Sequence, residues 1–171
     1  MDDPVLGAKQ PVSAWLTGPY GHPFHPILVT VPIGAWVASL VFDIASRIDA
    51  RPEFLVVGSR WLIGLGVIGA VVAASVGFLD FLSIPSGTRA HRTGLLHLSL
   101  NLAITAAYVG NFLWRQNLST GNDPVPVGPL VLSVLSLVTL GVSGYLGGKL
   151  AYRYGVRVAD EGTQAEGYRS G

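Results

Sequence analysis

Trp61–Leu82 reads WLIGLGVIGAVVAASVGFLDFL, and its first charged residue is Asp80. At ~1.5 Å of helix rise per residue, about twenty residues cross a ~30 Å hydrocarbon layer. Working outward, three further runs have similar length: Pro26–Phe42, Thr93–Trp114 and Gly128–Gly148. A soluble bundle of such helices needs a polar outer face, and these runs have none. The sequence therefore predicts an all-α fold, a four-helix transmembrane bundle in up-down order with both termini on the same side. Its expected parts are an interfacial or flexible segment at 1–21, a membrane domain at 22–158 and a disordered tail at 159–171. The helices are expected at about 26–47, 60–83, 90–115 and 128–152.

Composition agrees. Only 12% of the 171 residues are charged, against about 25% in a soluble domain. There is no cysteine, which excludes disulfides, thiolate metal sites and covalent haem attachment. A net charge of +1 gives no electrostatic footprint for nucleic acid. The acidic start Met1-Asp2-Asp3 does not fit the basic n-region of a cleavable signal peptide. No phosphate loop, metalloprotease helix or nucleophile elbow is present, so no catalytic residue is expected.

Along the chain, Pro26 suits a helix start and Pro32 predicts a kink. Asp43 and Arg47 have the spacing of a pair along one helix surface, and Arg60 is a second candidate partner for Asp43. In the second run Gly66, Ala70, Ala73, Gly77 and Asp80 share a face, where small residues let helices approach closely. Ile84–Thr88 is a turn signal. In the third run His97, Asn101, Thr105 and Tyr108 form one stripe, too costly to face lipid. In the fourth run Gly141, Gly144 and Gly147, with Ser136 and Ser143, suggest another packing face. Trp36, Trp61 and Trp114 are expected in packing or in the interfacial belt, and Tyr145 and Tyr152 as interfacial anchors.

Four crossings bring His22, His25, Asp80, His91, His97 and Lys149 to one membrane face. Three readings follow. First, His25 and His97 can ligate a b-type haem between the first and third helices, with Arg89, Arg92 or Lys149 on its propionates. Second, His22, His25, Asp80, His91 and His97 can hold a metal ion, or Asp80 and His97 can relay protons for transport. Third, these groups only tie helix ends together without a cofactor, His97 donating to Asp80 and His25 bridging to the turn at Pro85–Thr88. The histidine face carries seven of the eleven Lys and Arg residues, which predicts that it is cytoplasmic.

Gly21-His22-Pro23-Phe24-His25-Pro26-Ile27-Leu28-Val29-Thr30-Val31-Pro32-Ile33-Gly34, with Asp43 following, and the closing Gly147-Gly148-Lys149-Leu150-Ala151-Tyr152-Arg153-Tyr154-Gly155-Val156 resemble the DUF2231 family of uncharacterised bacterial membrane proteins. The resemblance spans residues 20–158. It implies a four-helix topology and location in the bacterial inner membrane. Some relatives are fused to Rieske iron–sulfur domains, which implies electron transfer. With no cysteine in the sequence, such a module is not expected here, and a separate redox partner protein is expected to supply the cluster.

Overall fold

The computed structural model describes residues 24–118 and 123–168, all helix, turn or irregular, with no strand among them. Helix α1 (His25–Leu28) and α2 (Thr30–Ala45) form one span. The break at Val29 falls one turn before Pro32, which has no N–H to give the Leu28 carbonyl. Helix α3 (Glu53–Leu82) is the second span, α4 (Arg89–Leu118) the third and α5 (Val127–Gly148) the fourth. The fourth continues through a π turn, Lys149–Arg153. Helix α3 begins about two turns earlier than its apolar run, because Pro52 fits a helix entry and Glu53 favours the positive helix N-terminus. The tail, expected without structure, carries a short helix α6 (Glu161–Glu166). The expectations for residues 1–21 and for His22 fall outside the described residues.

The interior is more polar than that of a soluble protein. Buried side chains among the described residues include nine hydrophobic and nine polar or charged ones. The outer surface is covered by Ile27, Val41, Ile68, Leu102, Leu135 and Val138. Lipid is a good solvent for that surface and gives no hydrophobic drive between helices. Packing and interhelical hydrogen bonds hold such a bundle. The protein is a membrane protein with four candidate spans.

Each span packs against its two neighbours around a ring, and the first and third meet across the centre. These two run in the same direction and in register. His25 faces His97, Trp36 stacks on Tyr108 with ring centres 4.1 Å apart, and Asp43 pairs with Arg115. In every pair the partners are 72 positions apart. Pro32, Trp36, Ser39 and Asp43 are buried, and so are Ile104, Tyr108, Asn111 and Arg115 at the same offset. In the second and fourth spans, buried Ser59, Ile63, Gly66 and Ala73 correspond to buried Pro129, Ser133, Ser136 and Ser143, 70 positions on. The hydrogen bonds repeat as well. Trp36 Nε1 donates to the Ile63 carbonyl at 3.4 Å, and Tyr108 Oη to the Ser133 carbonyl at 3.4 Å. The bundle is thus two similar helical hairpins related by a pseudo-two-fold axis along the spans, the parallel-repeat arrangement known in membrane folds.

Candidate functional site

Three layers lie on the pseudo-two-fold axis: an ion pair at one end, stacked aromatics at mid-depth, and two imidazoles at the other end. The ion-pair layer is closed. Arg115 Nη1 and Nη2 donate to Asp43 Oδ1 and Oδ2 at 2.7 and 2.6 Å, a two-pronged geometry. Ser59 donates to Asp43 Oδ1 and receives from Arg115 Nη1 at 3.0 Å. Arg115 Nε donates to Asn111 Oδ1 at 2.8 Å, and Asn111 Nδ2 to Ser133 Oγ at 2.9 Å. All four spans contribute, and Asp43, Ser59, Asn111 and Ser133 have no exposed surface. This corrects the expected pairing of Asp43 with Arg47 or Arg60. Arg47 Nη1 instead donates to the Val125 carbonyl at 2.7 Å. A partner two spans of chain away wins because only an interior cation can offset the cost of burying the carboxylate.

The imidazole layer is built differently. His25 enters at the start of the first span, and its Nδ1–H donates to the Ala73 carbonyl at 2.9 Å. His97 Nδ1–H donates to the Ser143 carbonyl, also at 2.9 Å. Each histidine is therefore anchored to the second helix of its own hairpin. Each ring also lies on a glycine. A Cβ at Gly77 would come within 2.7 Å of the His25 ring, and one at Gly147 within 3.1 Å of His97 Cε1. The two ring centres are 6.5 Å apart with planes at 85°.

With both Nδ1 atoms donating, each Nε2 carries the lone pair. His25 Nε2 makes no hydrogen bond among the described residues. His97 Nε2 lies 3.2 Å from Asn101 Nδ2. That amide nitrogen also donates to the His97 carbonyl and to Ser143 Oγ, both at 2.8 Å. Two amide hydrogens facing three acceptors leave the longest contact, the one to Nε2, in surplus.

Other sequence candidates sit elsewhere. Asp80 binds Arg157, whose Nε donates to Oδ1 at 2.8 Å. The expected gift of a proton from His97 to Asp80 is therefore replaced by His97–Ser143, and the expected bridge from His25 to Pro85–Thr88 by His25–Ala73. His91 packs on Phe81 with ring centres 4.9 Å apart. Lys149 Nζ lies over the Tyr154 ring at 5.7 Å. Among the described residues no three of His, Asp and Glu gather as a metal group. The small-residue face of the second span is as expected: Gly66 receives the Trp36 indole, which a Cβ would overlap. The fourth-span expectation changes. Gly141 and Gly144 face open space, and Ser133, Ser136, Ser143 and Gly147 form the packed face.

Sequence reasoning missed the Asp43–Arg115 layer and the duplication. The available signal was spacing: His25, Trp36 and Asp43 stand 11 and 7 apart, as do His97, Tyr108 and Arg115.

In comparison with known proteins, the model of a family described as "Predicted membrane protein (DUF2231)" matches residues 21–160. No curated protein and no solved structure matches the chain.

Proposed function

The chain belongs to the DUF2231 family of predicted membrane proteins, and on that premise we propose that it is a redox-associated membrane subunit binding b-type haem through His25 and His97. The observation that carries this reading is the pair of imidazoles on the pseudo-two-fold axis, each with Nδ1 tied to a backbone carbonyl. Ligating histidines have this outer support, which fixes the tautomer and makes Nε2 more basic. Two features of the residues present support this reading. Among the described residues His25 Nε2 makes no hydrogen bond, and the contact to His97 Nε2 is in surplus. Gly77 and Gly147 cradle the rings where a Cβ would intrude.

Bound haem would supply reversible one-electron transfer. The chain's own part is to hold two imidazoles at fixed orientation and to exclude water by packing. A separate redox partner protein would exchange the electron at the histidine face. That face is oriented to the cytoplasm of a bacterial inner membrane in this proposal, because Arg89, Arg92, Lys149 and Arg153 crowd its loops. The alternative metal or proton site at Asp80 and His97 has less support, since Asp80 is engaged by Arg157.

Full-length protein purified from haem-replete cells should show a Soret band, and haem added to the colourless protein should restore it. His25→Ala and His97→Ala should each remove the band while the protein stays monodisperse in detergent. Wild-type protein that is folded, colourless and unable to take up added haem would overturn the proposal and leave a cofactor-free membrane subunit.

A further inference from the structure

Beyond the π turn, the chain folds back beneath the second span. Gly155 takes φ 68° and Arg157 φ 57°, a left-handed conformation that costs an arginine energy. The fold brings Arg157 against Asp80, one turn from the end of α3. Only one of its nitrogens is used. The side chain is 6% exposed, and Nε holds Asp80 Oδ1 at 2.8 Å. Nη1 and Nη2 are buried and bond to nothing; among the described residues they are the buried side-chain nitrogens left without a partner.

Unpaired donors of a buried cation are expensive and rare, and each such case calls for an explanation, a bound ion among them. The contrast with Arg115, whose three nitrogens are all bonded, shows that this chain can saturate a buried guanidinium. The free edge of Arg157 presents two parallel N–H donors, the pattern that matches two oxygens on one carbon or phosphorus. Asp80 cannot take both prongs, because its carboxylate is met through Nε. The site also lies at the end of a span, where headgroup phosphates sit. Arg89, Arg92, Lys149 and Arg153 have no carboxylate partner among the described residues, where the ion pairs are Asp43–Arg115 and Asp80–Arg157.

We infer that Nη1 and Nη2 of Arg157 form a binding site for a phosphate-type oxyanion at the histidine face, supplied by a phospholipid headgroup or by a free phosphate. Its occupancy would satisfy the two open donors and fasten the segment after the fourth span to the second. This inference does not depend on haem.

The test is native mass spectrometry of the full chain in detergent. One arm adds dioleoylphosphatidylglycerol and the other inorganic phosphate, each with wild type, Arg157→Lys and Arg157→Gln. Arg157→Lys keeps a cation beside Asp80, and with it the fold, but loses the two-pronged edge. Wild type should retain one copy of a probe, and Arg157→Lys should hold it about tenfold more weakly. Retention of the lipid alone identifies a headgroup site; displacement of the lipid by phosphate identifies a free-anion site. Absence of binding by both probes, or Arg157→Lys binding as tightly as wild type, overturns the inference. If Arg157→Gln, which strips Asp80 of its partner, fails to fold, the lysine variant decides.

Discussion

The two ends of the pseudo-two-fold axis solve the same problem in opposite ways. At one end the duplicated hairpins place Asp43 opposite Arg115, and Ser59, Asn111 and Ser133 close the remaining valences. At the other end they place His25 opposite His97, and each ring bonds outward to its own hairpin rather than to its mate. The first layer is saturated and needs nothing more. The second is oriented but leaves imidazole nitrogens to spare. Inside a bilayer, where an unmet polar group is costly, the saturated layer serves stability, and the proposed haem would engage the unsaturated one.

The most severe test of this contrast is Asp43→Ala. It strands the Arg115 guanidinium, and breaking a buried pair on one side costs roughly 3–5 kcal/mol. Most of the protein should be lost to aggregation, seen as collapse of the monodisperse peak in detergent. The double variant Asp43→Leu with Arg115→Met should recover much of the loss, because removing both charges removes the desolvation cost as well. If the single variant stays as stable as wild type, the saturated layer is not what holds the hairpins together.

Next in size is Gly66→Ala. The added Cβ would overlap the Trp36 indole and disturb the aromatic layer that separates the two ends. Overpacking of this kind costs about 1–3 kcal/mol, read as a lower thermal midpoint.

Substitution at the imidazole end should be milder. His97→Ala removes interhelical hydrogen bonds worth about 0.6 kcal/mol each on average, so the midpoint should fall only slightly. A His97→Ala loss equal to that of Asp43→Ala would erase the distinction between the ends. Gly77→Ala should displace the His25 ring, and in haem-loaded protein should shift or weaken the Soret band more than Gly147→Ala, whose contact is looser.

The smallest effect is expected outside both layers. Gly141→Ala meets open space and should stabilise the fourth span by about 0.4–1 kcal/mol through a less flexible unfolded chain. Destabilisation there would mean that this face is covered in the assembled protein.

The duplication explains why so much of the interior escaped a linear reading. Hydrophobic length alone reveals a span, since the bilayer thickness imposes it whatever the neighbours. The stripe at His97, Asn101 and Tyr108 was legible for a related reason: polar groups at helical spacing must face inward. A partner across the axis leaves no such mark. Asp43 sees Arg47 one turn away in sequence, yet the interior offers Arg115 to Asp43 and Arg47 turns to the Val125 carbonyl. The repeat was hidden because, the two histidines apart, these matched positions hold different residues: Asp against Arg, Trp against Tyr, Ser39 against Asn111.

From its residues alone this protein determined that it crosses the membrane four times, because about twenty uncharged residues in a row have no stable place in water. The same residues determined that His25, His91 and His97 gather at one face, because crossings alternate. Only the packed bundle decided which side chains meet on the axis, which of them are saturated, and that Arg157 returns to Asp80. Those outcomes depend on the rotation and depth of each helix, which close packing of all four spans sets together and no single span encodes.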